Sequence, residues 1–470
     1  MKRLLILLIL PLLGLHLLAA PKKGHEIKLR ISDLKDTSLY LANYYGEKTY
    51  LIDTAKVDAQ GRCVFEGDKP LEGGIYILAL GKTKLFEFLV DGPQFFSMET
   101  NGPDYVGNMR IKGSPQNQLF FDYLRFNAFK YMEAEPLQKL QQKLQHNKDS
   151  LKIVKDKLSQ INKELEEYKL GFIKDHPETF MAAFFQALKE PVLPEAPLKA
   201  DGKRDSAYLY YYFRQHYWDN INLLDDRLLR TPFFHQKIVT YFDKLIVQMP
   251  DSIIAAADSM IARVRDNKEM FKYFVWYLTN TYEISNVMGF DAIFVHMVET
   301  YYMTNQAYWI NPTVLENLSK KAMKLKRILI GKTAPNMIML DTNMRPVSMY
   351  AIDAKYTILY FWDPDCGHCK TESPKLKKFY DDFKQKFNLE VFGVCSDTSM
   401  AEMKQYILKN NLNWINVNGP RCLTPNYHDE YDVSSTPVLF LLDDKKTILA
   451  KRLTTDQLEK FIERLETAKN

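Results

Sequence analysis

In "WDPDCGHCKTESP", residues 362 to 374, Cys366 and Cys369 are separated only by Gly367 and His368. Three chemistries share that spacing: a redox couple, half of a metal site, and two inert buried sulfurs. A structural zinc site needs two further ligands of matching softness, usually a second pair. Cys395 and Cys422 belong to no other Cys-x-x-Cys, so no metal is expected. Asp363, Pro364 and Asp365 form a polar turn ahead of the pair, which disfavours inert sulfurs. Thiol–disulfide exchange fits best. Cys366 falls where an apolar strand gives way to a helix, and unpaired N–H groups with the positive dipole end stabilise a thiolate there. His368, when protonated, lowers that pKa further. Cys366 is the expected nucleophile. Cys369, one turn on and more buried, is the expected resolving sulfur that closes a Cys366–Cys369 disulfide.

The elements that must hold this pair are readable. "YTILYFW" (356 to 362) is a continuous apolar run, suited to a central strand covered on both faces. A helix is predicted from Cys366 to about Lys386, then "LEVFGVCSD" as strand, 400 to 411 as helix and "WINV" as strand. "TPVLFLLDD" and "KTILAKRL" form a hairpin around Asp443 and Asp444, and "TTDQLEKFIERLETA" closes as a helix. Cys395 ends the second strand and Cys422 lies in the loop before Pro437; both are expected to be structural, with a second pairing between them left open.

Spaced features across residues 328 to 470 resemble the thioredoxin superfamily, most closely its exported TlpA/ResA-like branch. They are "GKTAPNMIML", the "FW" before the turn, Cys366-Gly-His-Cys369, Pro374 and "SSTPVLFLLD". The resemblance implies that the peptide bond to Pro437 is cis and packs beside the cysteines. It also implies that Thr436 offers backbone hydrogen bonds to an incoming peptide, with Trp362 and Gly367 as further substrate contacts. Glu372 matches a glutamate that manages the proton of the resolving thiol; the alternative is a solvated helix carboxylate. Two residues depart from the family pattern. Tyr360 stands where thioredoxin buries an acid, and Asp365 where a tryptophan commonly precedes the first cysteine.

The rest of the chain suggests a multidomain α+β protein. Residues 25 to 115 contain "IKLRI", "SLYLANYY", "CVFEG", "GGIYILAL" and "LFEFLV" between Gly, Asp and Pro clusters, as in a small antiparallel sandwich or barrel. Cys63 lies in one of these strands as a small buried hydrophobe. From 116 to 327 the period is helical. Pro136 is placed to open a long helix whose residues from Leu137 to Phe172 repeat as a coiled-coil-like seam, interrupted at Asn147. An intramolecular helical hairpin is favoured over a dimer through this 137–172 helix. Residues 190 to 205 form an exposed loop, and the aromatic stretches at 208–218, 271–278 and 294–302 are read as core. The expected domains are a signal peptide (1–20), a β domain (21–115), an all-α domain (116–327) and a thioredoxin-like α/β domain (328–470). A β and a helical domain ahead of such a module also resemble a group of exported proteins.

Composition narrows the function. With 63 basic and 58 acidic residues, net charge +5 and no basic stripe, a nucleic-acid partner is not expected. Lys2 and Arg3 precede an apolar run ending at Ala19 and Ala20, the order of a secretory signal, so the protein is expected in the periplasm or otherwise exported, with an uncleaved anchor as the alternative. The reading is an exported thiol-disulfide oxidoreductase whose only redox group is its own disulfide. Its expected partners are exported cysteine-containing proteins and a membrane donor or acceptor for thiols. Reduction is the favoured direction, oxidation or isomerisation the alternative, and a binding protein with a docking module the competing class.

Overall fold

Alternating apolar and charged side chains build the first sheets. A computed structural model describes residues 24–144 and 147–468, so the expected signal segment lies outside the described residues. The chain forms two compact units, divided between Val239 and Thr240, inside the span read from sequence as one helical domain.

In the first unit, Ile27, Leu29 and Ile31 are buried while Lys28 and Arg30 stay exposed. Their strand, His25–Ile31, pairs antiparallel with Arg62–Gly67 and parallel with Phe95–Thr100, which pairs with Arg110–Lys112. A second sheet joins Lys48–Lys56, Ser38–Tyr45, Gly74–Leu80 and Thr83–Val90 in that order. Phe88 of one sheet meets Phe96 of the other at 6.2 Å. The domain is therefore two four-stranded sheets, antiparallel except for one pair. Lys48–Lys56 lacks the alternation that flags a strand because it is an edge: Tyr50, Leu51 and Ile52 are all exposed. Cys63 is buried, and burial pushes its thiol up to about 11.

The expected helix from Pro136 through Phe172 is not one helix. Ser114 caps the helix Pro115–Lys143, accepting from the Asn117 N–H, and Pro136 lies inside it. Asn147, the polar interruption of the seam, is itself a cap: its side chain accepts from the Ser150 N–H and opens Lys148–Asp175. The two helices pack antiparallel, with Phe126 stacked on Tyr168 at 4.5 Å and Lys130 paired with Glu164 at 2.5 Å. Among the described residues the seam thus folds on itself as two antiparallel helices rather than one. Of the first aromatic stretch, 208–218, only its end is core. The helix Ser206–His216 buries no residue, and burial begins after it at Tyr217 and Trp218.

In the second unit, Pro250–Val264, Lys268–Glu283, Asp291–Met297 and Pro312–Arg327 bury Ile261, Phe274, Leu278, Ile293 and Phe294 between them. The aromatics of 271–278 and 294–302 are core here, apart from half-exposed members. A seven-stranded sheet follows, ordered Pro346–Ser348, Ile338–Asp341, Ile415–Cys422, Leu389–Cys395, Tyr356–Trp362, Val438–Asp443, Ile448–Lys451. Tyr356–Trp362 is buried at every position, parallel to Leu389–Cys395 and antiparallel to Val438–Asp443. Cys422 ends a strand rather than sitting in a loop; its register partner is Met339, in an edge hairpin the sequence reading missed. The preceding helices are tied to the sheet by Gly331 N–H to Ile448 O and Ile448 N–H to Lys332 O, both 2.8 Å. Among the described residues, no helix is long and apolar enough to cross a membrane.

Candidate active site

The central strand ends at Trp362, and the polar turn that follows is clamped by one carboxylate. Asp363 accepts from the Asp365 N–H at 2.9 Å and from the Ser396 hydroxyl at 2.7 Å, while the Ser396 N–H reaches Trp362 O. This aims the chain so that Cys366 is the N-cap of the helix Gly367–Phe387. The Cys366 sulfur accepts from the Cys369 N–H at 3.3 Å, and its thiol donates to Thr436 O at 3.2 Å. Partial burial opposes a thiolate at Cys366. Hydrogen bonds from the Cys369 thiol and N–H, from Thr436 and from the His368 N–H outweigh that cost, and the pKa falls below its ordinary value of 9. The part of His368 that acts among these groups is its backbone.

Cys369 is fully buried, and burial, then its bond with Cys366, pushes it up to about 12. The two sulfurs are not joined in this structure. Cys395 is buried, and burial pushes its thiol up to about 12; Cys422 is half-exposed beside the Thr424 hydroxyl at 3.0 Å.

The residues singled out from sequence fall in three places. His368 and Gly367 are exposed on the first turn, and a side chain at 367 would meet nothing within 4 Å. Thr436 and Pro437, joined by a cis peptide bond, lie against Cys366 from the other side. Trp362 differs from expectation: it is fully buried and stacks on Tyr406 at 5.0 Å, so it cannot contact a substrate and instead supports the pair from beneath. Tyr406 in turn donates to Cys369 O at 3.1 Å. Glu372 is half-buried, and its carboxylate accepts from the Thr455 N–H at 2.7 Å, which fixes the start of the closing helix Thr455–Ala468. That bond was not foreseen, because its partner lies 83 residues away. Tyr360 occupies the position of the missing acid, sharing a 2.9 Å hydrogen bond with Ser373, and burial pushes its phenol far up.

A cleft of about 630 Å³ opens beside the pair, lined by His368, Glu372, Thr436, Pro437, Arg452 and Asn286 among others. On the opposite flank, Asp365, Asp397 and Glu402 bring carboxylate oxygens within 4.8 Å of one another. Asp397 holds the Glu402 carboxyl above the usual carboxylate range. Ser399 caps the helix Met400–Lys409 by accepting from the Glu402 N–H at 3.3 Å, while its own N–H goes to the Asp397 carboxylate at 2.8 Å. An accessible sulfur that ionises easily beside a buried one that does not is the arrangement for nucleophilic attack followed by resolution.

The AhpC/TSA family matches residues 330–451. Two domains of unknown function match earlier parts of the chain, DUF4369 at 25–120 and DUF5106 at 139–327. The thiol-disulfide oxidoreductase ResA of Bacillus subtilis is 30% identical over 134 residues, 28% of this chain and 71% of that protein. ResA of Bacillus thuringiensis is 26% identical over 148 residues, 30% of this chain and 82% of that protein. A solved domain of a possible thiol-disulfide isomerase from Cytophaga hutchinsonii is 35% identical, covering 30% of this chain and 95% of that one with a TM-score of 0.29. Identity at the Bacillus subtilis level, over most of that relative's length, makes this chain, through its C-terminal thioredoxin-like part, a member of the ResA-like thiol-disulfide oxidoreductases.

Proposed function

We propose that the chain reduces disulfides of exported proteins through Cys366 and Cys369. The observation that carries this reading is the inequality of the two thiols: Cys366 half-exposed with a lowered pKa, Cys369 buried and pushed up to about 12. In the forward direction the Cys366 thiolate attacks one sulfur of a substrate disulfide. That S–S bond breaks, a mixed disulfide forms, and one substrate thiolate leaves and takes a proton. Cys369 then loses its proton and attacks the Cys366 sulfur, expelling the second substrate thiolate and closing the Cys366–Cys369 bond. Two electrons pass to the substrate, so a thiol donor at the membrane must reduce the enzyme again. Thr436, beside Cys366 on the cis-proline turn, supplies the edge along which the substrate chain lies. Export rests on the signal-like residues 1–20.

Thiolate stabilisation favours the reduced state and makes a couple more oxidising. Here Cys369 contributes none at neutral pH, and Cys366 gains only the balance of its hydrogen bonds over its burial. The lowered Cys366 value taken alone leans toward an oxidant, and the likeness to the ResA-like thiol-disulfide oxidoreductases is what supports a donor of electrons. The exposed His368 between the cysteines favours the second reading, an isomerase. Equilibration in graded thiol–disulfide buffers, with alkylated cysteines counted by mass, separates the two. A potential near or below roughly −250 mV is expected; one above roughly −200 mV would establish an oxidant or isomerase. Absence of any reversible couple would overturn exchange in favour of a binding protein.

A further inference from the structure

The redox cleft has a wall that no thioredoxin-like residue supplies. Asn286 lines the same cavity as His368, Pro437 and Arg452, and it comes from the loop between the helices Lys268–Glu283 and Asp291–Met297. The loop continues the wall outward: Val287 and Met288 lie with Asp432, Val438 and Arg452 around an adjoining hollow. Both side chains are large and apolar yet 55% and 38% exposed, and Ile284 at the loop's start is 72% exposed.

This wall is fixed in place. Asp291, two residues after Gly289, receives the ammonium group of Lys451, which also donates to Ile328 O at 2.8 Å. Lys451 is buried and is the chain neighbour of Arg452, the cleft residue. The apolar loop is therefore anchored beside the cleft by a buried pair at the end of the sheet's last strand. Within the cleft, Arg452 and Asp432 approach to 3.7 Å and offset each other's charge, while the Glu372 carboxylate also lines it and disfavours an acidic occupant. Beyond Cys366, Asp363, Asp365, Asp397 and Glu402 disfavour one too.

We infer that the 284–289 loop is a docking surface for the substrate polypeptide. Its ligand is an extended, non-acidic segment that carries an apolar side chain a few residues from the reacting cysteine. This rests on the exchange reading above and specifies its substrate class. A segment lying along Thr436 and Pro437 enters the cleft that Asn286 closes, and its next apolar side chain covers Val287 and Met288. A small thiol fills the cleft without reaching them. The preceding helices thus contribute selection to a module that could exchange disulfides without them.

The test compares the full-length reduced chain with the variant Val287→Ser/Met288→Ser. Each is mixed with two oxidised probes: the disulfide-linked dimer of a short peptide whose cysteine is flanked by leucines, and oxidised glutathione. The quantity read is the ratio of the peptide rate to the glutathione rate. Loss of apolar contact at two side chains should lower that ratio roughly five- to tenfold. An unchanged ratio overturns the docking role, whether or not both rates fall together. An unchanged ratio with a shift from dimer to monomer in size-exclusion chromatography assigns the patch to a second copy of the chain instead. If the parent protein exchanges with neither probe, the exchange reading itself falls, a result distinct from loss of the ratio.

Discussion

Cys366 and Cys369 are three residues apart and chemically unlike, and a few hydrogen bonds plus one burial difference account for it. A lowered pKa means that more of Cys366 is thiolate at pH 7 than an ordinary thiol with a value of 9 would be. A raised one means that Cys369 holds its proton until about pH 12. Iodoacetamide should therefore modify Cys366 first, along a rate profile whose midpoint lies below 9, and leave Cys369 untouched in the native reduced chain. Mass mapping of quenched samples reads this directly, and equal labelling of the two at pH 7 would remove the asymmetry on which the proposed mechanism stands. At this scale the sequence was informative where partners are neighbours. The cysteines, the polar turn and the capped helix lie within one short stretch. Glu372 was not legible in the same way, because its carboxylate is committed to the Thr455 N–H, far along the chain.

The elements show the same division. Tyr356–Trp362 announced itself as a central strand because burial on both faces demands an unbroken apolar run. The edge strands did not, since Lys48–Lys56 and Pro346–Ser348 bury too little to impose alternation. The seam from Leu137 to Phe172 misled because two antiparallel helices that pack together carry the same spacing as one long helix. Only the cap at Asn147 distinguishes them. Packing detail was beyond pattern reading altogether. Gly393 sits in Leu389–Cys395, where a β-carbon would lie 2.7 Å from Trp414 Nε1 and 3.2 Å from Trp362 Nε1. Both indoles are buried, so neither has room to yield. Gly393→Ala should cost about 1–3 kcal/mol as an overpacked core position. Gly367→Ala, with nothing within 4 Å, should stay within about 0.5 kcal/mol of the parent. Urea denaturation followed by circular dichroism checks the pair, and equal midpoints would refute the packing argument.

Across the whole second unit, the helices after Thr240 and the seven-stranded sheet form one body, joined at Ile448–Lys451 by main-chain hydrogen bonds and by the Lys451–Asp291 pair. A lysine in a terminal strand reads as solvated, and its partner lies 160 residues earlier, so nothing in the sequence marked this join. A buried cation stripped of its partner is costly, whereas replacing both partners by apolar groups is often tolerated. Asp291→Ala should therefore lower stability by about 3–5 kcal/mol near neutral pH, and adding Lys451→Met should restore much of it. The pH dependence supplies an independent check. Burial holds Lys451 below its ordinary 10.5 even with Asp291 present, and removing that carboxylate lowers it further. Between the folded value and 10.5, the unfolded chain keeps a proton that the native chain has lost, so stability rises with pH across that window. The single variant should recover stability as pH is raised toward about 10, more steeply than the parent, while the double variant, lacking the amine, should not. A single variant as stable as the parent, or one that lost stability over that range, would show that the pair does not hold helices and sheet together. The anchoring of the 284–289 loop beside the redox cleft would then need another cause.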